Sequence, residues 1–456
     1  MRLRALAPAL AVLLACSGGT KAQDAVLTLP QARGIAVEAL RGGDAALAAE
    51  MANGLIVAEP RAAYPHAILA RAHQMTGDHA AARKSAARAF ALAPPGPDRF
   101  VMGQLAARTA VAADRPGLAQ FWLRRTAIHA PEAAKAAIAE DYSALRRMNP
   151  LSFRLDASLR PSSNVNNGSE TAFQVIDGVP VTGALSGAAQ ALSGTVGSLD
   201  LSLRYRLHAT DDALTAVGAR LYSRRVALSD SAKALAPTAA NRDFSADFGE
   251  VSLQHGFAAG QDRIVNLSMA AGQAAYGGRS TFRFVRTGAE HSWLLQDDAR
   301  FSFGVALENR NGVASSRFDA RAVSVGLQFA RPMANGDRLT LALGLRDTDA
   351  VFVNDRARAI SLRAGYGLGA PVGAVSLSGA LSLGFSDFPD YMSGFIVVPG
   401  GRQETSIQAE ITARFDRMDY AGFVPELSLR AGRTGSNDSR FDTRELSVAI
   451  GIGSKF

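Results

Sequence analysis

The stretch "LSFRLDASLR", residues 151–160, decides the fold of most of this chain. Every second residue in it is apolar: Leu151, Phe153, Leu155, Ala157 and Leu159. Successive side chains of a β-strand point to opposite faces, so this period of two predicts a strand with one apolar and one charged face. The stretch follows Asn149-Pro150, where a helical pattern ends. We therefore expect the chain to change from helix to strand here.

The same alternation recurs over the rest of the chain. It is seen in the runs 151–159, 199–207, 217–221, 251–253, 265–269, 282–294, 301–307, 323–329, 339–345, 360–368, 375–385, 407–415, 427–429 and 445–456. About fourteen strands of roughly ten residues, an even number, are typical of bacterial outer-membrane barrels. The sequence thus predicts a transmembrane β-barrel over residues 151–456, preceded by an α-helical domain.

The connections between the predicted strands alternate in length. Short turns are expected at 209–212, 258–262, 295–298, 331–337 and 416–421, and long polar connections at 161–193, 225–243, 386–401 and 433–444. Outer-membrane barrels have short periplasmic turns and long outer loops. An even strand number puts both ends of the barrel on one side, so we expect the helical domain to lie in the periplasm.

The final segment "ELSVAIGIGSKF", residues 445–456, predicts the strand that closes the barrel. It must pair with the strand around Phe153, because an open sheet edge is a liability. The terminal Phe456 resembles the signal that the barrel assembly machinery recognises. We expect deletion of Phe456 to impair membrane insertion more than it harms the folding of the helical domain.

The polar faces of the predicted strands carry many charges. We expect these residues to face the barrel lumen, because they alternate with the apolar series: Arg154, Asp156, Asp200, Arg204, Glu410, Arg414, Glu426 and Arg430. The mixed signs allow ion pairs across a closed lumen, and equally an open pore with solvated charges. Aromatic residues make up only 7% of the chain, so the interfacial girdles are expected to be thin.

Residues 1–22 have the pattern of a signal peptide. Arg2 and Arg4 precede an apolar segment, and two processing routes are open. Cleavage after Ala22 would leave a mature chain without cysteine, whereas the "LLAC" stretch at 13–16 matches a lipobox and would leave Cys16 lipidated. The first route excludes disulfides and cysteine metal sites.

Residues 24–147 predict a helical domain with an internal repeat. Its units end at Pro60, Pro94 and Pro131. Each unit has a turn and then a small residue in the next helix: Gly43-Asp44 with Ala48, Gly77-Asp78 with Ala82, and Asp114-Arg115 with Ala119. This pattern resembles the tetratricopeptide repeat, in which small residues let two helices cross closely. A plain alanine-rich bundle is the alternative, and residues 132–147 are expected to form a capping helix.

Composition and motifs narrow the classes of function. The formal charge is +8, but the basic residues are dispersed and no nucleic-acid motif is present. The barrel histidines, His208, His255 and His291, have no nucleophile motif near them, and we interpret them as polar lumen or turn residues. We therefore expect the protein to have no enzymatic activity and to bind no metal and no cofactor.

The layout of the chain resembles the Slam family, the surface lipoprotein assembly modulators. The local likeness lies in "NPLSFRLDASLRPSSNVNNGSE", with Asn164 and Asn166, and in "GFVPELSLRAGRTGSNDSRFDTRELSVAIGIGSKF", with Ser436 and Asn437. This resemblance implies that the protein delivers a specific client, either a surface lipoprotein or a secreted haem- or metal-scavenging protein, to the cell surface.

The other partners expected are the barrel assembly machinery and outer-membrane lipid, with a monomeric barrel and no nucleic acid. A passive channel for small solutes or polysaccharide export is the alternative function.

Overall fold

The computed structural model describes residues 27–418 and 423–454, which fall into two compact units divided after Pro131. The first unit is α-helical, and the second consists of one further long helix and a β-barrel. The predictions for residues 1–22, Cys16 and Phe456 lie outside the described residues. None of the described helices is long and apolar enough to cross a membrane.

The helices of the first unit end where the sequence places its turns. They are α1 (Leu29–Gly42), α2 (Ala45–Ala58), α3 (Ala63–Met75), α4 (His79–Leu92), α5 (Pro97–Ala112) and α6 (Pro116–Ala127). Gly43 and Gly77 follow α1 and α3 with φ of 85° and 76°, a conformation that glycine adopts without steric cost. Asp44 and Asp78 then cap α2 and α4, each accepting a hydrogen bond from a backbone N–H.

Small side chains allow these helices to pack closely. Ala48, Ala82 and Ala119 are fully buried. Helix α3 contacts α1 and α5 as well as its chain neighbours α2 and α4. The first unit is thus a series of helix pairs, each packed against the next.

The second unit begins with α7 (Glu132–Met148), and strand β1 starts at Leu151. The described residues form a closed, antiparallel barrel of fourteen strands. These are β1 (Leu151–Ser162), β4 (Gly194–Ala209), β5 (Ala213–Leu228), β6 (Ala246–Ala258), β7 (Arg263–Tyr276), β8 (Arg279–Leu294), β9 (Arg300–Gly312), β10 (Ala320–Pro332), β11 (Arg338–Ala350), β12 (Ala357–Gly367), β13 (Ser376–Phe388), β16 (Arg402–Arg414), β17 (Phe423–Ser436) and β18 (Thr443–Ser454). Strand β1 pairs with both β4 and β18, with Leu159 opposite Ile450. The predicted fold and its closing seam are confirmed.

The connections lie at two ends of the barrel. The turn side, where β1 begins, holds 210–212, 259–262, 295–299, 333–337, 368–375 and 415–418. The loop side holds 163–193, 229–245, 277–278, 313–319, 351–356, 389–401 and 437–442. The long loops contain two hairpins and a short helix: β2 (Phe173–Ile176) with β3 (Val179–Ala184), β14 (Met392–Ser393) with β15 (Ile396–Val397), and α8 (Asp230–Leu235).

Loop lengths differ from the sequence-based expectation. The loop after β17 spans only 437–442 rather than 433–444, because β17 remains paired with β18 as far as Thr434 and with β16 as far as Ser436. Three loop-side connections, 277–278, 313–319 and 351–356, are short within the described residues. Polar residues are typical of loops, but a strand ends where its backbone hydrogen bonds to the neighbouring strand end. These hydrogen bonds do not depend on the polarity of the side chains.

One face of every barrel strand is apolar and exposed. Among its members are Leu159, Leu199, Leu221, Val251, Leu307, Leu341, Ile411 and Ile450. A continuous apolar band around a closed barrel is the surface that faces lipid in outer-membrane barrels. We therefore describe this chain as an outer-membrane barrel and call the opposite face of its strands the inner face.

Aromatic rings collect at the turn-side ends of the strands. Trp293 lies 5.5 Å from Phe301 between ring centroids, and Phe153 lies 6.5 Å from Phe423. Two histidines belong to this belt: His291 stacks on Trp293 at 4.0 Å, and His255 Nδ1 lies 2.9 Å from a threonine hydroxyl on β5. Amphipathic rings favour the membrane interface. The interpretation of His255 and His291 as lumen or turn residues is therefore wrong, because both are in phase with the apolar band.

Candidate functional site

The eight charged residues predicted to face the lumen all lie on the strand face opposite the apolar band. Their register places Asp156 opposite Asp200, Glu410 opposite Arg430, and Arg414 opposite Glu426. Six of them line one cavity of about 410 Å³: Arg154, Asp156, Asp200, Glu410, Glu426 and Arg430. Arg204 lines a second cavity, bordered mainly by β6 to β12.

Most of these residues form ion pairs along the barrel wall. Arg154 Nε lies 2.8 Å from Asp156 Oδ2, and Arg430 Nη2 lies 3.1 Å from Glu410 Oε1. Asp200 is bound by two donors of Arg220, at 2.5 and 3.0 Å, a residue that the sequence did not single out.

Arg414 also pairs along the wall, with Asp416 at 3.0 Å and Glu426 at 4.0 Å. These ion pairs join residues of the same or nearby strands, so they line the wall and do not bridge the lumen.

A larger charge cluster, which sequence analysis missed, lies on β6, β8, β9 and β11. We call it the arginine cluster: Glu250, Arg286, Glu308, Arg310 and Arg346. Arg310 and Arg346 each reach Glu308 at 2.8 Å, and Arg286 reaches it at 3.5 Å. Arg286 also donates to Glu250 at 2.7 Å. One nearly buried carboxylate thus holds three guanidiniums together.

Small residues on the intervening strands make this cluster possible. Gly272 and Ala270 of β7 lie opposite Glu250 and Arg286 in register, so the two long side chains meet across β7. Ser324 fills the same role on β10 and accepts a hydrogen bond from Arg346 at 3.1 Å. Alternation within one strand cannot reveal such pairs, because they join strands that are two apart in the sheet.

The second cavity is lined by unusually small residues. Its volume is about 940 Å³, and its inner-face lining includes Ser268, Gly288, Ser302, Gly304, Ala306, Ser324, Gly326, Ala342, Gly344, Ala359 and Ser361. A β-carbon added to Gly326 would meet no atom within 4 Å. This wall of small residues leaves open space beside the arginine cluster.

The long loops pack against the inner face at the loop side. Val196 and Val226, on the inner face of β4 and β5, are buried with Val165, Leu192 and residues of loop 229–245. On the other side of the seam, Arg402 of β16 is stacked on the rings of Phe388, Tyr391 and Phe441. These contacts place loop residues beside β4, β5, β13 and β16 at the loop-side opening of the barrel, which we call the mouth.

Asn164, Asn166 and Asn437, which lie in the loops that resemble the Slam family, bind backbone groups of neighbouring segments. Asn164 exchanges two hydrogen bonds of 2.9 Å with Gly168, and Asn166 accepts from the Leu192 N–H at 2.8 Å. Asn437 accepts from the Gln403 N–H at 2.8 Å and donates to the carbonyl of residue 401 at 2.9 Å.

Ser436 has a similar local role, since its hydroxyl accepts the N–H of Asp438 at 3.2 Å. In the structure these four polar residues brace loops and do not form a pocket.

The described part of the chain contains no group of three or more His, Cys, Asp or Glu side chains that could hold a metal ion. No protein-family model matches the chain, and no curated protein matches it.

Several solved structures of outer-membrane proteins are similar to the barrel. A bacterial polysaccharide outer membrane secretin is 10% identical, with 66% of this chain and 98% of that chain covered and a TM-score of 0.33. The outer membrane channel DcaP of Acinetobacter baumannii is 9% identical (66% and 96% covered, TM-score 0.38). OccK7 (OpdD) of Pseudomonas aeruginosa is 11% identical (67% and 98% covered, TM-score 0.31). Likeness at this level carries no information on substrate.

Proposed function

We propose that this chain is an outer-membrane pore for small polar solutes. The observation that carries the proposal is the wall of small inner-face residues on β7 to β12, which borders a cavity of about 940 Å³. Barrels of about eight strands are filled by their own side chains, whereas those of about sixteen leave a water-filled channel. In a fourteen-stranded barrel, glycine, alanine and serine on the inner face favour the open state.

The charged side chains on the inner face of the barrel favour a water-filled passage. Paired arginines and carboxylates on the inner face need hydrogen-bonding partners for their remaining donors and lone pairs, and water supplies them. The large loop clusters lie beside β4, β5, β13 and β16, whereas 277–278, 313–319 and 351–356 are short. The sector with the small-residue wall is therefore the one with the shorter loops above it, which favours solute entry there.

A matched pair of variants tests the pore. Gly326→Trp adds a large side chain to the inner face where an added β-carbon meets open space, whereas Leu327→Trp changes the next residue, which belongs to the apolar face. In planar lipid bilayers, the wild-type chain and Leu327→Trp should show the same single-channel conductance, and Gly326→Trp a lower one. Absence of conductance in the correctly folded wild type, or equal conductance in all three, would refute the pore.

Delivery of a client protein is the second candidate, and the helical unit favours it. A passive pore needs no series of helix pairs, whereas such repeats present a concave surface to extended peptides. In this hypothesis the helical unit lies in the periplasm and meets a surface lipoprotein or a secreted scavenging protein. Deletion of the gene should then remove one specific protein from the cell surface while its periplasmic level persists. Unchanged surface proteins together with reduced uptake of small solutes would favour the pore.

A further inference from the structure

We propose that the lumen prefers anions, and this inference rests on the pore proposed above. Its basis is that arginines exceed carboxylates on the inner face of the described strands. The arginines there, leaving out those at the first position of a strand, are Arg154, Arg160, Arg204, Arg206, Arg220, Arg224, Arg286, Arg310, Arg346, Arg363, Arg414 and Arg430. The carboxylates are Asp156, Asp200, Glu250, Glu290, Glu308, Glu404, Glu410, Glu426 and Glu445.

The two signs are not equally exposed. In the arginine cluster, the Glu308 side chain is 9% exposed and that of Glu250 15%, whereas those of Arg286 and Arg346 are 39% and 36% exposed. The shorter carboxylate lies against the barrel wall, and the longer guanidinium extends over it. A solute in the lumen therefore meets the positive partner first.

Several ion pairs on other strands of the barrel repeat this layering. Arg220 is more exposed than its partner Asp200, and both Arg363 and Arg430 are more exposed than Glu410, which lies between them. Arg363 also donates to a serine hydroxyl of β13 at 3.0 Å, which extends its side chain along the wall. The layering thus recurs on β4, β5, β12, β16 and β17, whereas at the closing seam Arg160, 18% exposed, is more buried than its partner Glu445, 24% exposed.

Guanidinium chemistry indicates the class of solute. Three guanidiniums and two carboxylates leave the arginine cluster with one excess positive charge and with more N–H donors than its carboxylates accept. Guanidinium groups match the planar fork of carboxylate and phosphate oxygens. A cleft lined by one sign of charge raises the local concentration of the opposite ion. The structure therefore points to small inorganic anions and organic carboxylates as the favoured solutes.

The test is ion selectivity in planar lipid bilayers. The purified full-length chain is placed between solutions of unequal potassium chloride concentration, and the chloride-to-potassium permeability ratio is taken from the reversal potential. We expect chloride to be favoured. Arg346→Gln should lower the ratio by about fourfold. One charge about 5 Å from a passing ion in water changes the local concentration of that ion about fourfold, and salt reduces this effect to about twofold. The change has opposite signs for chloride and potassium, so the two effects multiply in the ratio.

Two further variants separate charge from structure. Glu308→Gln removes a carboxylate from the same cluster and should shift the ratio in the opposite direction, toward chloride. Arg358→Gln removes an arginine on the neighbouring strand that is in phase with the apolar face and pairs with Asp347, so it should leave the ratio unchanged.

The outcomes distinguish the two proposals. Conducting channels that favour potassium or show no preference would overturn the anion inference and leave the pore standing. Equal shifts in Arg346→Gln and Arg358→Gln would overturn it as well. No conductance from a heat-modifiable, correctly folded barrel would instead overturn the pore itself.

Discussion

The cage around Arg402 offers the sharpest test of how the loop-side mouth is held. Its guanidinium lies 3.7 Å from the ring centroid of Phe388, 3.8 Å from that of Phe441 and 4.5 Å from that of Tyr391. The residue is only 8% exposed, and its Nε lies 3.0 Å from a carboxylate oxygen of Glu404. One cation thus joins loop 389–401 to loop 437–442.

The expected effect of Arg402→Gln follows from these contacts. A cation over an aromatic face contributes about 0.5–1 kcal/mol at an exposed site and about 2 kcal/mol when it is desolvated. Three rings within 6 Å are not independent, so we take a total of about 2 kcal/mol, which corresponds to about a 30-fold change in an equilibrium constant. The variant also leaves the Glu404 carboxylate without its charged partner. Local opening of the loops should become about 30-fold more frequent, while the barrel strands remain closed.

Hydrogen exchange with mass spectrometry measures this opening in detergent. The informative amides are Val398, bonded to the Tyr391 carbonyl at 3.1 Å, and Asp177, bonded to the Asn437 carbonyl at 2.8 Å. Peptides that cover them should exchange faster in Arg402→Gln, while peptides from β10 and β11 should not change.

The matched control is Arg317→Gln, which removes a guanidinium 4.3 Å from the ring centroid of Phe352 in the loops on the other side of the mouth. Unchanged exchange at Val398 and Asp177 in Arg402→Gln, or an equal rise there in both variants, would refute the reasoning.

Two predictions concern the helical unit. Gly103→Ala should destabilise it by about 1–3 kcal/mol, because the added β-carbon would lie 2.1 Å from Thr126 Oγ1. Gly54→Ala should instead stabilise it by about 0.5–1 kcal/mol, because its β-carbon meets no atom within 4 Å. Thermal melts followed by helical circular dichroism measure both changes, and stability changes of the same sign in the two variants would contradict the packing described here. The hydrogen bond from Tyr64 lowers the pKa of the Glu59 carboxyl below its usual value. The Glu59 carboxylate therefore stabilises the fold above its unfolded pKa, and this stabilisation is lost as the pH falls through its lower folded pKa. Glu59→Gln should make the free energy of unfolding fall less steeply with decreasing pH below about pH 4.5. An unchanged pH dependence in this variant would exclude this role for Glu59.

The sequence by itself determined the barrel. A period of two, sustained from Leu151 to the last strand, fixes which side chains share a face, because alternation is a local property of extended backbone. It therefore predicted fourteen strands, the closing seam and the phase of residues such as Arg154 and Glu410. The helix ends at Gly43-Asp44 and Gly77-Asp78 were predictable for the same reason, since caps and turns depend on neighbouring residues.

Only the tertiary structure decided which charges meet. The pairing of Arg286 with Glu250 and that of Arg346 with Glu308 depend on strand register and on small residues of the strand between the two partners, and neither is visible in a single segment. The cage around Arg402 joins loops distant in sequence. Strand ends were misjudged where polar residues such as Arg433 remain paired, because the backbone hydrogen bonds that define a strand do not depend on the side chain. Non-local geometry, rather than composition, shaped the lumen and its mouth.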